Sequence, residues 1–312
     1  MLNNLRKVAQ VLFFVYIVGI GARFALYLNA LNNGDMTATK PFGVEGFLPI
    51  SALLGLKQLV MSFEYDRVHP AGLTIFIAII VMSIVLKKSF CSHICPVGCV
   101  SESVSKIGFN KRIPWYIPVW ALKYVLLGFF VYVVLFGMDI NAIRAFINSP
   151  YNAVSDAKML YLFTPPSLTT VLVLVAIILL TLVFRNFWCK NLCPYGALLG
   201  LFSVLSPIKV KRNAEACTSC MKCTKVCPSG LSVHTKKTIH NPDCVGCHEC
   251  IKHRGTPECL ETTVVRYNKW FPLVAVGIFV LITIVAMVTG YWESSVSNEQ
   301  YLQFLKIGVT HP

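Results

Sequence analysis

Five apolar runs, each near the roughly 20 residues that carry a helix across a hydrocarbon core, divide this chain. They cover residues 8–28, 71–86, 115–137, 167–184 and 271–291. A bilayer core offers no water to backbone N–H and C=O groups, so runs of this kind satisfy themselves as helices. The composition agrees. Of 312 residues, 55% are hydrophobic and 13% are charged, about half the charged share of a soluble domain. The predicted fold class is therefore an α-helical integral membrane protein with about five transmembrane helices. The formal net charge of +14 would suit nucleic acid, but the cations cluster beside the apolar runs, as anchors for anionic membrane lipid do. Nucleic acid is not an expected partner. Lys123, inside the third run, is read as a snorkelling side chain.

Arg6 and Lys7 followed by a long apolar run outline a signal sequence. No small-x-small cleavage site follows cleanly, so an uncleaved anchor is expected. Orientation follows from Lys and Arg in the connecting segments. Those before run 1, between runs 2 and 3 and between runs 4 and 5 hold 20, against 6 in the alternate segments. Arg185, Lys190, Arg266 and Lys269 lie close to the membrane and vote the same way. The N-terminus is predicted inside and the C-terminus outside, in a cytoplasmic (inner) membrane. The two outer segments, near 29–70 and 138–166, are too long for tight turns. Residues 43–61 suit short interfacial helices. His69 and Asp66 are read as part of a solvated loop face, with contact to a quinone head group as the alternative.

The chain has 13 cysteines, grouped with two or three residues between neighbours. That spacing is poor for disulfides and natural for metal ligands. It requires a compartment that keeps thiols reduced, and the charge bias puts all of them on the cytoplasmic side or at its boundary. Cys217-Thr-Ser-Cys220-Met-Lys-Cys223-Thr-Lys-Val-Cys227-Pro228 is C-x2-C-x2-C-x3-C-P, the run that ligates [4Fe-4S] clusters in bacterial ferredoxins. Three cysteines two residues apart wrap one cubane, and the fourth points to a neighbouring cluster. Cys244, Cys247 and Cys250 repeat the spacing, and Cys259 follows a gap of eight residues in place of a C-x3-C-P ending. The swapped pattern assigns Cys217, Cys220, Cys223 and Cys259 to cluster 1, and Cys244, Cys247, Cys250 and Cys227 to cluster 2. Cys244-x-x-Cys247-His248 also matches c-type haem attachment. That reading would orphan Cys227, Cys250 and Cys259 and contradict the charge bias. Lys222, Lys225, Lys236, Lys237, Lys252 and Arg254 surround these cysteines, as membrane anchors or as a docking face for an acidic redox partner.

An internal repeat lies upstream. Phe90-Cys91-Ser-His-Ile-Cys95-Pro-Val-Gly98 closes the second run, and Trp188-Cys189-Lys-Asn-Leu-Cys193-Pro-Tyr-Gly196 closes the fourth. Both read C-x3-C-P-x-G after an inbound span, which suggests two parallel halves. Cys91, Cys95, Cys189 and Cys193 have three readings: a shared additional metal centre, redox-active thiols, or structural turns. Cys99 breaks the repeat, because position 197 is Ala, and is read as a buried free thiol.

These motifs together resemble the NapH-type membrane ferredoxins, a family that shares its core with MauN and the C-terminal membrane part of NosR. The resemblance covers roughly residues 70–260. It implies an iron–sulfur component of a quinol-linked electron-transfer chain, with the quinone pool or a redox protein as donor or acceptor and a membrane or periplasmic reductase as partner. The chain departs from it in having a fifth span after the clusters, no large outer flavin-binding domain, and the displaced Cys259. The expected organisation is a first span and outer loop (1–70), a membrane core with both C-x3-C-P repeats (71–206), a small inserted ferredoxin-like α+β domain carrying two [4Fe-4S] clusters (207–268), and a last span with its outer tail (269–312). The expected activity is electron transfer as a subunit rather than as a stand-alone enzyme. A second reading is an assembly or maintenance factor that reduces a metal or disulfide in a partner enzyme. No G-x-G-x-x-G fingerprint for a nicotinamide cofactor is present, and no pair of histidines on the spans suggests haem b.

Overall fold

The structure, a computed structural model, describes residues 4–109, 111, 119–264 and 270–309. Trp115, where the third run was expected to begin, lies outside the described residues, as do Arg266 and Lys269, whose charges entered the orientation argument. Three helices are long and apolar enough to cross a membrane: Leu5–Asn32, Val119–Gly137 and Phe271–Val288. Two shorter apolar helices, Pro70–Leu86 and Leu168–Val183, occupy the second and fourth runs. Pro70 suits a first helical position, where its missing N–H costs nothing.

The chain divides into two compact units. The first comprises Met1–Phe14, Ile79–Gly128 and Leu174–Phe279. It holds every cysteine. Its apolar centre includes Met82, Leu86, Ile94, Ile208 and Ala275. Strand β1 (Val210–Arg212) pairs antiparallel with strand β2 (Leu260–Thr262), in the register Val210↔Thr262, Lys211↔Glu261 and Arg212↔Leu260. This ribbon closes the ferredoxin-like segment at both ends. A second centre, formed by Val210, Val233, Ile239, Ile251 and Leu260, is packed around Cys223, Cys227 and Cys259. The segment is too small to bury much apolar surface, so the cysteines form much of its interior.

The second unit comprises Val15–Ala78, Phe129–Val173 and Val280–Pro312. Its core joins Phe24, Tyr27 and Leu31 to Val154, Tyr301 and Leu305. The expectation of short helices over 43–61 is met by a 3-10 turn at Val44–Phe47 and the helix Pro49–Ser62. Helix Ile140–Ile147 starts at Asp139, whose carboxylate accepts from the Ala142 N–H at 2.9 Å, a side-chain N-cap.

His69 and Asp66 are not a solvated face. Each is 1% exposed. The Asp66 carboxylate accepts from the N–H groups of Val68 and His69. The His69 ring approaches Glu45 at 3.5 Å, and Lys40 bridges Glu45 at 3.2 Å and Asp156 at 2.7 Å. Tyr301 donates to Asp156 at 2.6 Å. A helix near the end of the chain is thereby tied to Lys40, Glu45, His69 and Asp156 through buried charge. These partners lie far apart in sequence, so local polarity alone suggested water.

Candidate iron–sulfur sites

The two ferredoxin-type loops fold alike. In the first, Ser219 and Met221 adopt left-handed backbone; in the second, Gly246 and His248 do. These positions correspond across the C-x2-C-x2-C spacing. Left-handed turns direct successive N–H groups inward, a concavity suited to anionic sulfur. The Ser219 N–H faces the Cys217 sulfur, that of Lys222 faces Cys220, and that of Glu249 faces Cys247. These bonds hold Cys217 and Cys220 below the usual thiol range, helped by Arg212 and Thr218 respectively. Burial pushes Cys247 and Cys250 well above it, so those thiols stay neutral until a metal replaces their protons.

Cys227 lines one small cavity together with Cys244, Cys247 and Cys250. That is the four-thiol set a swapped second cluster would use. The eight-residue gap before Cys259 folds back over the first loop. Thr256 donates to the Ala216 carbonyl at 2.6 Å, and a Cβ on Gly255 would meet the Cys220 sulfur at 2.7 Å. Any side chain there would have to displace the Cys220 sulfur. The Asn213 N–H then donates to the Cys259 carbonyl at 3.1 Å, which returns Cys259 to the core that holds Cys223. The longer gap is spent on a turn. His248 is buried with its ring 4.3 Å from that of Phe271.

The C-x3-C-P repeats form matching hairpins. Cys91 sits in the turn Ser89–His93, and Cys189 in the π turn Trp188–Leu192. Cys95 and Cys193 cap the helices Pro96–Ile107 and Pro194–Ser203, and the Cys193 sulfur accepts from the Gly196 N–H at 3.2 Å. Gly98 is required, because any Cβ would strike the Cys91 carbonyl. The four cysteines are half-buried, and their thiols are close enough to oppose one another's ionisation. Burial pushes Cys91 up to about 12 and Cys95 up to about 11. Burial and the other three thiols hold Cys189 well above its ordinary value. Among the described residues, no three His, Cys, Asp or Glu side chains converge as a site for a single metal ion. A cubane makes a different demand, since each thiolate binds its own iron and the ligands stand farther apart. Cys99 is buried, as expected.

Several residues that hold these sites carried no local signal. Asn186 adopts left-handed backbone after the fourth apolar run. It accepts from Ser101 and Ser105 and donates to the Pro228 carbonyl at 2.8 Å, which joins both repeats to the ferredoxin-like segment. Arg185 donates to the carbonyls of Lys225 and Cys227, each at 2.8 Å, so this cation binds protein as well as flanking the span. Arg6 is 5% exposed. It forks onto Glu102 with two bonds of 2.8 Å, reaches Glu249 at 3.0 Å and donates to the Ser92 carbonyl at 3.3 Å. Lys123 does not snorkel: it is fully buried and ion-paired with Asp243. Arg6→Lys keeps the charge but loses the fork. The expected cost is about 2 kcal/mol, read as earlier thermal loss of iron–sulfur absorbance in the purified protein.

The comparisons with known proteins fall on these same segments. A family described as "4Fe-4S binding domain" matches residues 68–114 and 167–213, the two repeats, and one described as "4Fe-4S dicluster domain" matches 209–253. YccM of Escherichia coli, named as an electron transport protein, is 35% identical over 96% of this chain and 89% of its own length. The ferredoxin-type protein NapH of Haemophilus influenzae is 28% identical over 58% of this chain and 66% of its own. The methylamine utilization ferredoxin-type protein MauN of Paracoccus denitrificans is 30% identical over 45% and 48%. No solved structure matches at a significant level. Apolar helices and ferredoxin-type cysteine loops on one chain define a membrane iron–sulfur protein of electron transport. The chain belongs to the NapH-like polyferredoxin family, whose relatives include NapH, MauN, NosR and YccM.

Proposed function

We propose that this protein relays electrons between the quinone pool and a membrane or periplasmic reductase partner, through two [4Fe-4S] clusters and a third at the boundary cysteines. Cluster 1 is held by Cys217, Cys220, Cys223 and Cys259, and cluster 2 by Cys244, Cys247, Cys250 and Cys227. The third is held by Cys91, Cys95, Cys189 and Cys193. The observation that carries this reading is the pair of neighbouring cavities in the first unit. One is lined by Cys227 and the Cys244 loop, and the other by Cys91 and Cys189, with Pro228, Asp243 and Val245 on its wall. Residues flanking cluster 2 ligands thus line the boundary site, which supports a continuous path.

When bound, the clusters supply one-electron carriers. The chain's own contribution is to hold them: left-handed loops aim N–H groups at the sulfurs, Arg185 and Asn186 fix the Cys227 loop, and Arg6 fixes the Cys247 loop. No nucleophile or acid–base pair is needed, which favours a transfer subunit over a stand-alone enzyme. In the proposed topology five helices span the inner membrane, with the N-terminus and the inserted domain (207–268) in the cytoplasm and the C-terminus outside. The core (71–206) and the end segments (1–70 and 269–312) complete it. Electrons hop usefully over about a dozen Å, whereas the hydrocarbon core is roughly 30 Å thick, so a quinone or partner subunit completes the crossing.

The test uses the cluster-loaded protein in lipid nanodiscs. Addition of a quinol is expected to bleach part of the iron–sulfur absorbance, with dithionite defining full reduction. If dithionite bleaches the protein and quinol does not, the quinol link is wrong. If a deletion strain makes a partner reductase that lacks its metal, the protein is an assembly factor instead.

A further inference from the structure

Lys88 and Lys123 are buried cations, 3% and 0% exposed, that share one carboxylate. Lys123 pairs with Asp243, and Lys88 approaches the same Asp243 oxygen at 3.7 Å. Lys88 also donates to the Gly196 carbonyl at 3.3 Å, and the N–H of that same glycine binds the Cys193 sulfur. Lys88, Lys190 and Asp243 line the cavity that contains Cys91 and Cys189. Both Lys88 and Lys123 favour the charged form of Cys193.

The local charge does not balance. Lys88, Lys123 and Lys190 face two carboxylates, Asp243 and Glu102, and Glu102 is already paired with Arg6 and Lys7; an uncompensated buried cation is costly unless an anion accompanies it. Four cysteine thiolates on a cubane are anionic, and each added electron makes that centre more so.

We propose that Lys88 and Lys123 are positioning residues that raise the reduction potential of the boundary centre, so that an electron passing along the chain rests there. The inference depends on the proposed cluster at Cys91, Cys95, Cys189 and Cys193. The step adds one electron to that centre, donated by the neighbouring iron–sulfur site that carries Cys244. No bond breaks and no proton moves. Asp243, one residue before Cys244, offsets part of the positive charge and sits between the two sites.

The test is a potentiometric titration, followed by electron paramagnetic resonance, on the cluster-loaded protein, with iron counted per chain. Wild type is expected to carry about twelve irons, four per cubane. Lys88→Met leaves the Lys123–Asp243 pair intact. It is expected to keep its iron and to lower one midpoint by at least tenfold in the reduction equilibrium constant, about 59 mV for one electron, while Lys88→Arg retains the wild-type value. Asp243→Asn is expected to shift the same midpoint upward, which gives a second variant of opposite sign. Unchanged midpoints in fully loaded Lys88→Met and Asp243→Asn overturn the proposal. A wild type with only about eight irons overturns the boundary cluster itself, and with it this inference.

Discussion

Serine at Cys91, Cys95, Cys189 and Cys193 together is expected to remove about a third of the iron, from about twelve atoms per chain to about eight. The ferredoxin-type loops should stay loaded, because their eight cysteines and inward N–H groups are untouched. Iron determination on the purified variant, with its visible absorbance, reads the result. Unchanged iron would mean that these thiols hold no cluster and that the hairpins serve the fold alone. Serine is the right substitution here. It nearly preserves volume, and the helix-capping role of Cys95 and Cys193 passes to a residue that caps well. Loss of iron would then not be loss of the hairpin.

Lys40→Met is expected to destabilise the second unit by about 3–5 kcal/mol, because it strands Glu45 and Asp156 as buried carboxylates. Thermal unfolding in detergent or nanodiscs measures it, and a loss below about 1 kcal/mol would mean that water reaches the network. The same network fixes a pH window. Burial alone would depress the His69 imidazole, but Glu45 outweighs it and holds the group above its usual value. A raised histidine stabilises fully below its unfolded value near 6.5, and that contribution fades as pH rises through the folded value. Burial alone would raise Glu45 and Asp156, but Lys40 and His69 hold both below the usual carboxylate range. Their contribution is present above roughly pH 4–5 and fades as pH falls through the folded values. Stability from this network is therefore greatest between about pH 5 and 6.5, and His69→Gln is expected to remove the alkaline limb and to weaken the acid limb, which Lys40 still supports.

The parts legible in sequence were those with short-range pattern. The apolar runs gave the helices because a bilayer leaves the backbone no alternative. The equal spacing read in the Cys217 and Cys244 loops is matched by equal backbone, with left-handed residues at 219, 221, 246 and 248. Cys259 was countable but not placeable, since its position depends on Gly255 turning against Cys220. Long-range charge pairing was illegible. Lys123 looked like a snorkelling cation because Asp243 stands 120 residues away, and His69 looked solvated because its ring's partners, Glu45 and the Asn152 carbonyl, lie outside its local segment. A charge read alone suggests water or lipid, and only the fold supplies its partner.

The Arg6 fork also imposes an order on biosynthesis. Its contact with Glu249 joins residues 243 positions apart, so it cannot close until nearly the whole iron-binding chain has left the ribosome. Until then its partners are Glu102 and the Ser92 carbonyl, 96 and 86 positions away. Glu249 lies between Cys247 and Cys250, so the Arg6–Glu249 bond also holds the second cysteine loop. The start of the chain is therefore pinned to the second cysteine loop only once that loop has been made.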